Sequence, residues 1–193
     1  MIVILGEGYK VAIEKIKKEK SIETSLFFKE TLVDIKNLQR KYEKFYTLKL
    51  LDYLSEGKAF LAYNGGKPVI EDLSLHTSIS HTRERIAVVL SDFPVGLDME
   101  IISERTLKVA SRFISENDAL FINPRDVKET TLLWTVKEAV YKLDNALVNF
   151  KNDIRITGWH QINKFKGIMK LNDTFTASYF IFENFIITLA SNS

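Results

Sequence analysis

Cysteine is absent from the 193 residues, proline occurs three times and glycine eight times. Without cysteine there are no disulfides, thiolate metal sites or thiol nucleophiles, so a metal must be held by oxygen or imidazole. The same absence is compatible with a reducing cytoplasm, the compartment expected here. The scarcity of proline and glycine, with no Gly/Ser-rich stretch, leaves no recognisable linker. No run reaches the ~18 apolar residues of a membrane span. The opening MIVILGEGYK lacks the basic flank and small-residue cleavage site of a signal peptide, so it reads as a first strand. Nor is one sign of charge in excess: 27 Lys and Arg face 25 Asp and Glu, which gives no case for a nucleic-acid partner. What remains is a chain 46% hydrophobic and 27% charged, the composition of an ordinary globular protein able to bury a real core.

Periodicity predicts helices over 10–20 and 26–55, the second from Ile35, Leu38, Tyr42, Phe45 and Leu48 at helical spacing. Strands are expected at 1–5, 59–63, 76–81 and 85–91, with a turn at 64–68 where adjacent glycines permit positive φ. Further on, a strand at 95–101 precedes helices near 106–121 and 128–147. Apolar strand-like runs follow at 153–159, 165–171, 174–182 and 185–191. Each half reads strand, helices, strands. The expected fold class is therefore α+β, two similar halves (1–94 and 95–193) with the site in the cleft at their junction. No residue-level repeat accompanies this order.

Three segments carry candidate chemistry. In VGLDMEI (95–101) alternation puts Asp98 and Glu100 on one strand face and Leu97, Met99 and Ile101 on the other. Two carboxylates so placed repel unless solvent or a cation relieves them; alone, the pattern is also that of a solvated strand face. In WTVKEAVYK (134–142), Trp134, Glu138 and Tyr141 or Lys142 share a helix face. Glu138 could there supply a third carboxylate for magnesium, which prefers oxygen ligands; an amphipathic core helix with a Glu138–Lys142 surface pair has the same spacing. In TSISHT (77–82), Ser80 and His81 are adjacent on a strand and point to opposite faces. They cannot form a hydrolase dyad, and phosphate contact is the better functional reading, beside that of a merely structural or exposed histidine.

Taken in order, GGKP, SISHT, VGLDMEI and WTVKEAVYK resemble the 4′-phosphopantetheinyl transferases, in particular the Sfp-type branch in which one chain holds two similar halves. The likeness runs from about Arg40 to the C-terminus. It implies that Asp98, Glu100 and Glu138 are magnesium ligands, and that Lys142 and Lys137 lie near the pyrophosphate of coenzyme A. It also implies that Ser80 and His81 touch coenzyme A phosphates and that Gly66, Lys67 and Pro68 form the turn beside the nucleotide. Asp98, His81, Glu138 and Lys142 would be the catalytic set. The cations at 36–49 (Lys36, Arg40, Lys41, Lys44 and Lys49) read as a solvated face or as contacts for the 3′-phosphate, with Arg40 and Lys49 nearest to the family's basic positions. The implied reaction is transfer of the phosphopantetheine arm from coenzyme A to a serine of an apo acyl or peptidyl carrier protein, with magnesium as cofactor and a monomer as the working unit. An exposed patch including Arg112 and Phe113, or the second helix, would receive the carrier. Two features depart from the family pattern: LDNALVNF after Lys142 has no glycine, and the first 35 residues carry no matching motif. A coenzyme A-binding protein without transfer and a magnesium phosphohydrolase are the alternatives.

Overall fold

The computed structural model describes residues 1–17, 35–71, 74–147 and 149–193, and the chain forms two compact units, Met1–Phe93 and Pro94–Ser193. Both are α+β. Among the described residues no helix is long and apolar enough to cross a membrane.

In the first unit β1 (Ile2–Gly6) and β2 (Tyr9–Lys15) form a hairpin, followed by α1 (Leu38–Ser55). Then come β3 (Phe60–Asn64), β4 (Lys67–Glu71), β5 (His76–His81) and β6 (Arg85–Ser91). The antiparallel sheet runs β1-β2-β6-β5, while β3 and β4 pair separately. Helix α1 starts where the Asn37 side chain accepts a hydrogen bond from the Arg40 amide, a conventional N-cap. It buries Tyr42, Tyr46, Leu50, Leu51 and Leu54 against Ala12, Ile86, Val88 and Leu90 of the sheet. At Gly65 and Gly66, φ of 55° and 85° makes the two-residue connection of the β3–β4 hairpin, the left-handed geometry such a turn requires.

The helix expected over 10–20 is instead strand β2 as far as Lys15; residues 18–20, and 26–34 of the second expected helix, lie outside the described residues. The reason is burial. Val11, Ala12 and Ile13 are all inside, because β2 is central to its sheet and covered on both faces, which erases the alternation that marks a half-exposed strand.

The second unit opens with β7 (Gly96–Ile101), α2 (Arg105–Phe113), a 3₁₀ turn at Asp118–Leu120 and α3 (Val127–Leu143). It continues with the short α4 (Phe150–Asp153) and strands β8 (Ile156–Asn163), β9 (Lys166–Leu171), β10 (Phe175–Ile181) and β11 (Phe185–Asn192). Its antiparallel sheet runs β7-β11-β10-β9-β8, so among the described residues β7 is an edge strand, paired with β11, Asp98 opposite Thr188. Helix α3 is capped by Asp126, which accepts from the Glu129 amide at 2.8 Å, and it packs on β7 and β11. Buried hydroxyls fasten it there: Thr188 donates to Thr135 at 3.0 Å. The single helix expected over 106–121 breaks after Phe113. There the Asp118 carboxylate accepts from the Ser115 amide while the Ser115 hydroxyl accepts from the Asp118 amide, a reciprocal cap that starts a new turn.

Candidate functional site

The polar face of β7 and one stripe of α3 meet. Of the α3 residues between Thr130 and Val140, Trp134 and Glu138 are half-buried and the rest are inside; Tyr141 and Lys142 continue that stripe. Opposite, Asp98 is buried and Glu100 half-buried. The Lys142 ammonium donates to Asp98 Oδ1 at 2.8 Å and to the Leu97 carbonyl at 2.9 Å. The Trp134 indole donates to Glu100 Oε1 at 3.2 Å. Lys142 thus reaches across from its helix to the strand.

This close approach depends on Gly96. A Cβ there would fall on the Ala139 carbonyl oxygen and on the backbone of Leu143, so only glycine lets the start of β7 lie against α3. Sequence reasoning passed over Gly96, although its place two residues before Asp98 was a usable signal.

The electrostatics follow from three acids beside Lys142, with Arg105 acting on Glu100 as well. Burial, then the Asp98 and Glu100 charges, push Glu138 up from 4.5 to about 7 despite the opposing pull of Lys142. Burial and Asp98 also raise Glu100, against the Trp134 hydrogen bond, Arg105 and Lys142. Glu100 and Glu138 open onto a cavity of about 720 Å³ walled by Phe113, Trp134 and Phe150, with Arg105, Val109 and Arg112 of α2 along its side. The Trp134 ring meets Phe113 at 5.0 Å edge-on and Phe150 at 5.6 Å. Phe113 is therefore a buried wall rather than part of an exposed patch, whereas Arg112 is exposed. Arg105 and Phe150 were not picked out from the sequence; Arg105 follows soon after Glu100 but begins the next helix, and Phe150 reaches the site from α4, beyond the end of α3.

The chemistry of the donor set suits a divalent cation: three carboxylates, mutually repelling, with a single lysine to offset them. In their present positions Asp98 is engaged by Lys142 and Glu100 by Trp134, and among the described residues no three His, Asp or Glu side chains gather closely enough to hold an ion.

Lys137 corrects an expectation. Its ammonium is fully buried and donates to Asp118 Oδ2 at 2.6 Å, to the Phe113 carbonyl at 2.8 Å and to the Phe150 carbonyl at 2.7 Å. An ammonium has three donors, so none is left for a pyrophosphate. Burial lowers its pKa, and the Asp118 hydrogen bond and charge oppose that.

In the first unit, His81 is exposed at the end of β5 with Nδ1 3.9 Å from Glu43 Oε1, while its neighbour Ser80 is buried, as strand alternation requires. Lys44 stands 4.5 Å over the Tyr63 ring of β3, and burial lowers its pKa. Arg40, Glu43 and Lys44 share a face of α1, so that face lies beside His81 and beside the hairpin carrying Gly66, Lys67 and Pro68. Lys49 does not join them. It sits nine residues after Arg40, about 180° round the helix axis, and its ammonium meets Glu14 of β2 at 2.9 Å. Arg40 and Lys49 cannot grip one phosphate together.

Residues 94–190 match the family model of the 4′-phosphopantetheinyl transferase superfamily, a span that coincides with the unit holding the acid cluster. The chain belongs to this superfamily. It is similar to the 4′-phosphopantetheinyl transferases gsp of Aneurinibacillus migulanus (34% identical over 101 residues, 50% of this chain and 42% of the relative) and psf-1 of Bacillus pumilus (33% over 96 residues, 47% and 41%). It is also similar to Sfp of Bacillus subtilis strain 168, 30% identical over 101 residues, 50% of this chain and 45% of that protein. The match thus spans less than half the length of each of these relatives. The relationship to the Sfp-type transferases is shown, while the motifs read at 40–93 lie outside the span of the family model.

Proposed function

We propose that the chain is a holo-carrier synthase, a magnesium-dependent enzyme that moves the 4′-phosphopantetheine arm of coenzyme A to a serine hydroxyl of an apo acyl or peptidyl carrier protein. The observation that carries this reading is the electrostatically coupled set of Asp98, Glu100, Glu138 and Lys142 beside an aromatic-walled cavity.

In this reading Asp98, Glu100 and Glu138 would hold the magnesium ion. When bound, the ion would draw off the negative charge that builds on the leaving phosphate. The serine oxygen attacks the phosphorus that bears the pantetheine arm, the bond to the bridging pyrophosphate oxygen breaks, and 3′,5′-adenosine bisphosphate leaves. Glu138 takes the serine proton, directly or through a water. In the metal-free chain burial and the neighbouring acids raise its pKa to about 7; a bound cation would favour the ionised form, which is the form that accepts a proton. Lys142 orients Asp98 and places a fixed positive charge where the pyrophosphate would lie. Ser80, His81, Arg40, Gly66, Lys67 and Pro68 stay in the proposal as the coenzyme A contacts implied by the motifs; Lys137 and Lys49 leave it. The Arg105 and Arg112 side of the cavity would receive the carrier, whose surface is expected to be acidic.

The test is incubation with coenzyme A, magnesium and a panel of apo-carriers, followed by intact-mass measurement and chromatography of the nucleotide. A carrier gaining one phosphopantetheine, with equal release of 3′,5′-adenosine bisphosphate and loss of both on chelation, supports the proposal. Coenzyme A bound but never cleaved would make the chain a binding protein, and free phosphopantetheine formed without carrier would make it a hydrolase.

A further inference from the structure

We infer that Lys137 is a positioning residue: it fixes the aromatic walls of the cavity next to Glu138. Its three acceptors belong to three separate segments. Phe113 is the last residue of α2, Asp118 begins the 3₁₀ turn and Phe150 begins α4. Asp118 in turn accepts from the amides of Ser115 at 2.9 Å and Ile156 at 3.0 Å, so the same ion pair also holds the link after α2 and the start of β8. The two carbonyls that Lys137 binds are those of the residues whose rings close on Trp134. The ammonium therefore sets where both walls stand.

Glu138 is the next residue, about 100° further round the same helix. The group that fixes the walls and the carboxylate that faces them are thus held in register by one turn of α3. A charge buried at 0% exposure is costly, and an apolar side chain of similar volume would fill the space more cheaply. It would not, however, bind carbonyls on two different helices at fixed distances. The geometry accounts for a lysine where simple packing does not.

The kinetic part of the test rests on the transferase reading; the other parts do not. In a Trp159→Phe background Trp134 is the sole tryptophan, and its quenching by acrylamide reports how tightly Phe113 and Phe150 close on it. Lys137→Met, compared at a temperature where circular dichroism shows both chains folded, is expected to raise the quenching constant about twofold or more as the rings open to solvent. It should lower kcat/KM for apo-carrier about tenfold, chiefly through KM, with coenzyme A affinity unchanged. Lys151→Ala, which cuts only the exposed tie from α4 to the Ser111 carbonyl, should leave both near the parent values. Unchanged quenching in folded Lys137→Met overturns the inference whatever happens to transfer. Raised quenching in a chain whose parent transfers nothing supports the positioning role and removes the transferase reading. If Lys137→Met does not fold, ¹⁵N spectroscopy of the unmodified chain decides: a fully hydrogen-bonded ammonium gives a slowly exchanging signal, and its absence overturns the inference.

Discussion

The first unit fully buries none of its charged candidates, whereas the second draws them in. Arg40 and His81 are exposed, and Lys49 forms a surface pair with Glu14. Asp98, Glu100, Glu138 and Lys142 share a half-buried cluster, and Lys137 with Asp118 is wholly enclosed. The contrast is one of dielectric. Exposed charges are screened by water and salt, and each contributes little that its neighbours could not replace. Charges in a partly dry site act strongly on one another, as the displacement of Glu138 to about 7 records. The proposed reaction would therefore draw its tuned carboxyl and concentrated negative charge from the second unit, and the family match falls on that unit.

This contrast can be broken by substitution. The largest difference is expected between Glu138→Ala and His81→Ala, with losses of transfer of about 10³-fold and at most about tenfold. An initial-rate assay with saturating coenzyme A measures both, and a His81 loss equal to that of Glu138 would abolish the distinction.

Two glycines give the next comparison. Gly96→Ala forces a methyl onto the Ala139 carbonyl and should cost about 1–3 kcal/mol in urea unfolding, with loss of transfer as β7 shifts. Gly66→Ala meets nothing within 4 Å and bears only the strain of its positive φ, about 1 kcal/mol. Equal costs would mean that the approach of β7 to α3 is not as tight as described.

The pH dependence of Glu138 sharpens the point further. Its folded pKa lies above its unfolded value near 4.5, so the folded chain binds the extra proton between about 4.5 and 7. The stabilisation is complete below the unfolded value and is lost as pH rises through the folded one. Without metal, Glu138→Gln should therefore melt above the parent near pH 8 and at the same temperature near about pH 4. Magnesium, which opposes the same repulsion, should raise the parent's melting temperature more near pH 8 than near pH 5. A pH-independent difference between parent and variant would contradict the electrostatic origin. The smallest effect is expected for Lys49→Ala, at most about 1 kcal/mol, fading as salt is added.

Much of the second unit was legible in the sequence. Alternation in VGLDMEI set Asp98 and Glu100 on one face, and helical spacing set Trp134 and Glu138 on another, because each pattern is local. Strands β5 and β6 lie where they were expected, at 76–81 and 85–91. The same local logic contained the warning about Lys137: Leu133 and Val140, one turn to either side, are fully buried, so a lysine between them faces the interior. Its partner Asp118 was not legible, being set by where the chain turns after α2. Lys49 was misplaced for a related reason: nearness in sequence to Arg40 says nothing about angle round the helix until its axis is counted. Strand β2 escaped because burial on both faces leaves no alternation to read.

The central claim is that the three carboxylates of the second unit together bind one divalent ion. Titration of the chain with manganese in the presence of coenzyme A, followed by electron paramagnetic resonance, tests it most directly. The account predicts one tight ion per chain, at least about tenfold weaker binding in each of Asp98→Asn, Glu100→Gln and Glu138→Gln, and no change in His81→Ala. Undiminished binding in the three acid variants would contradict it.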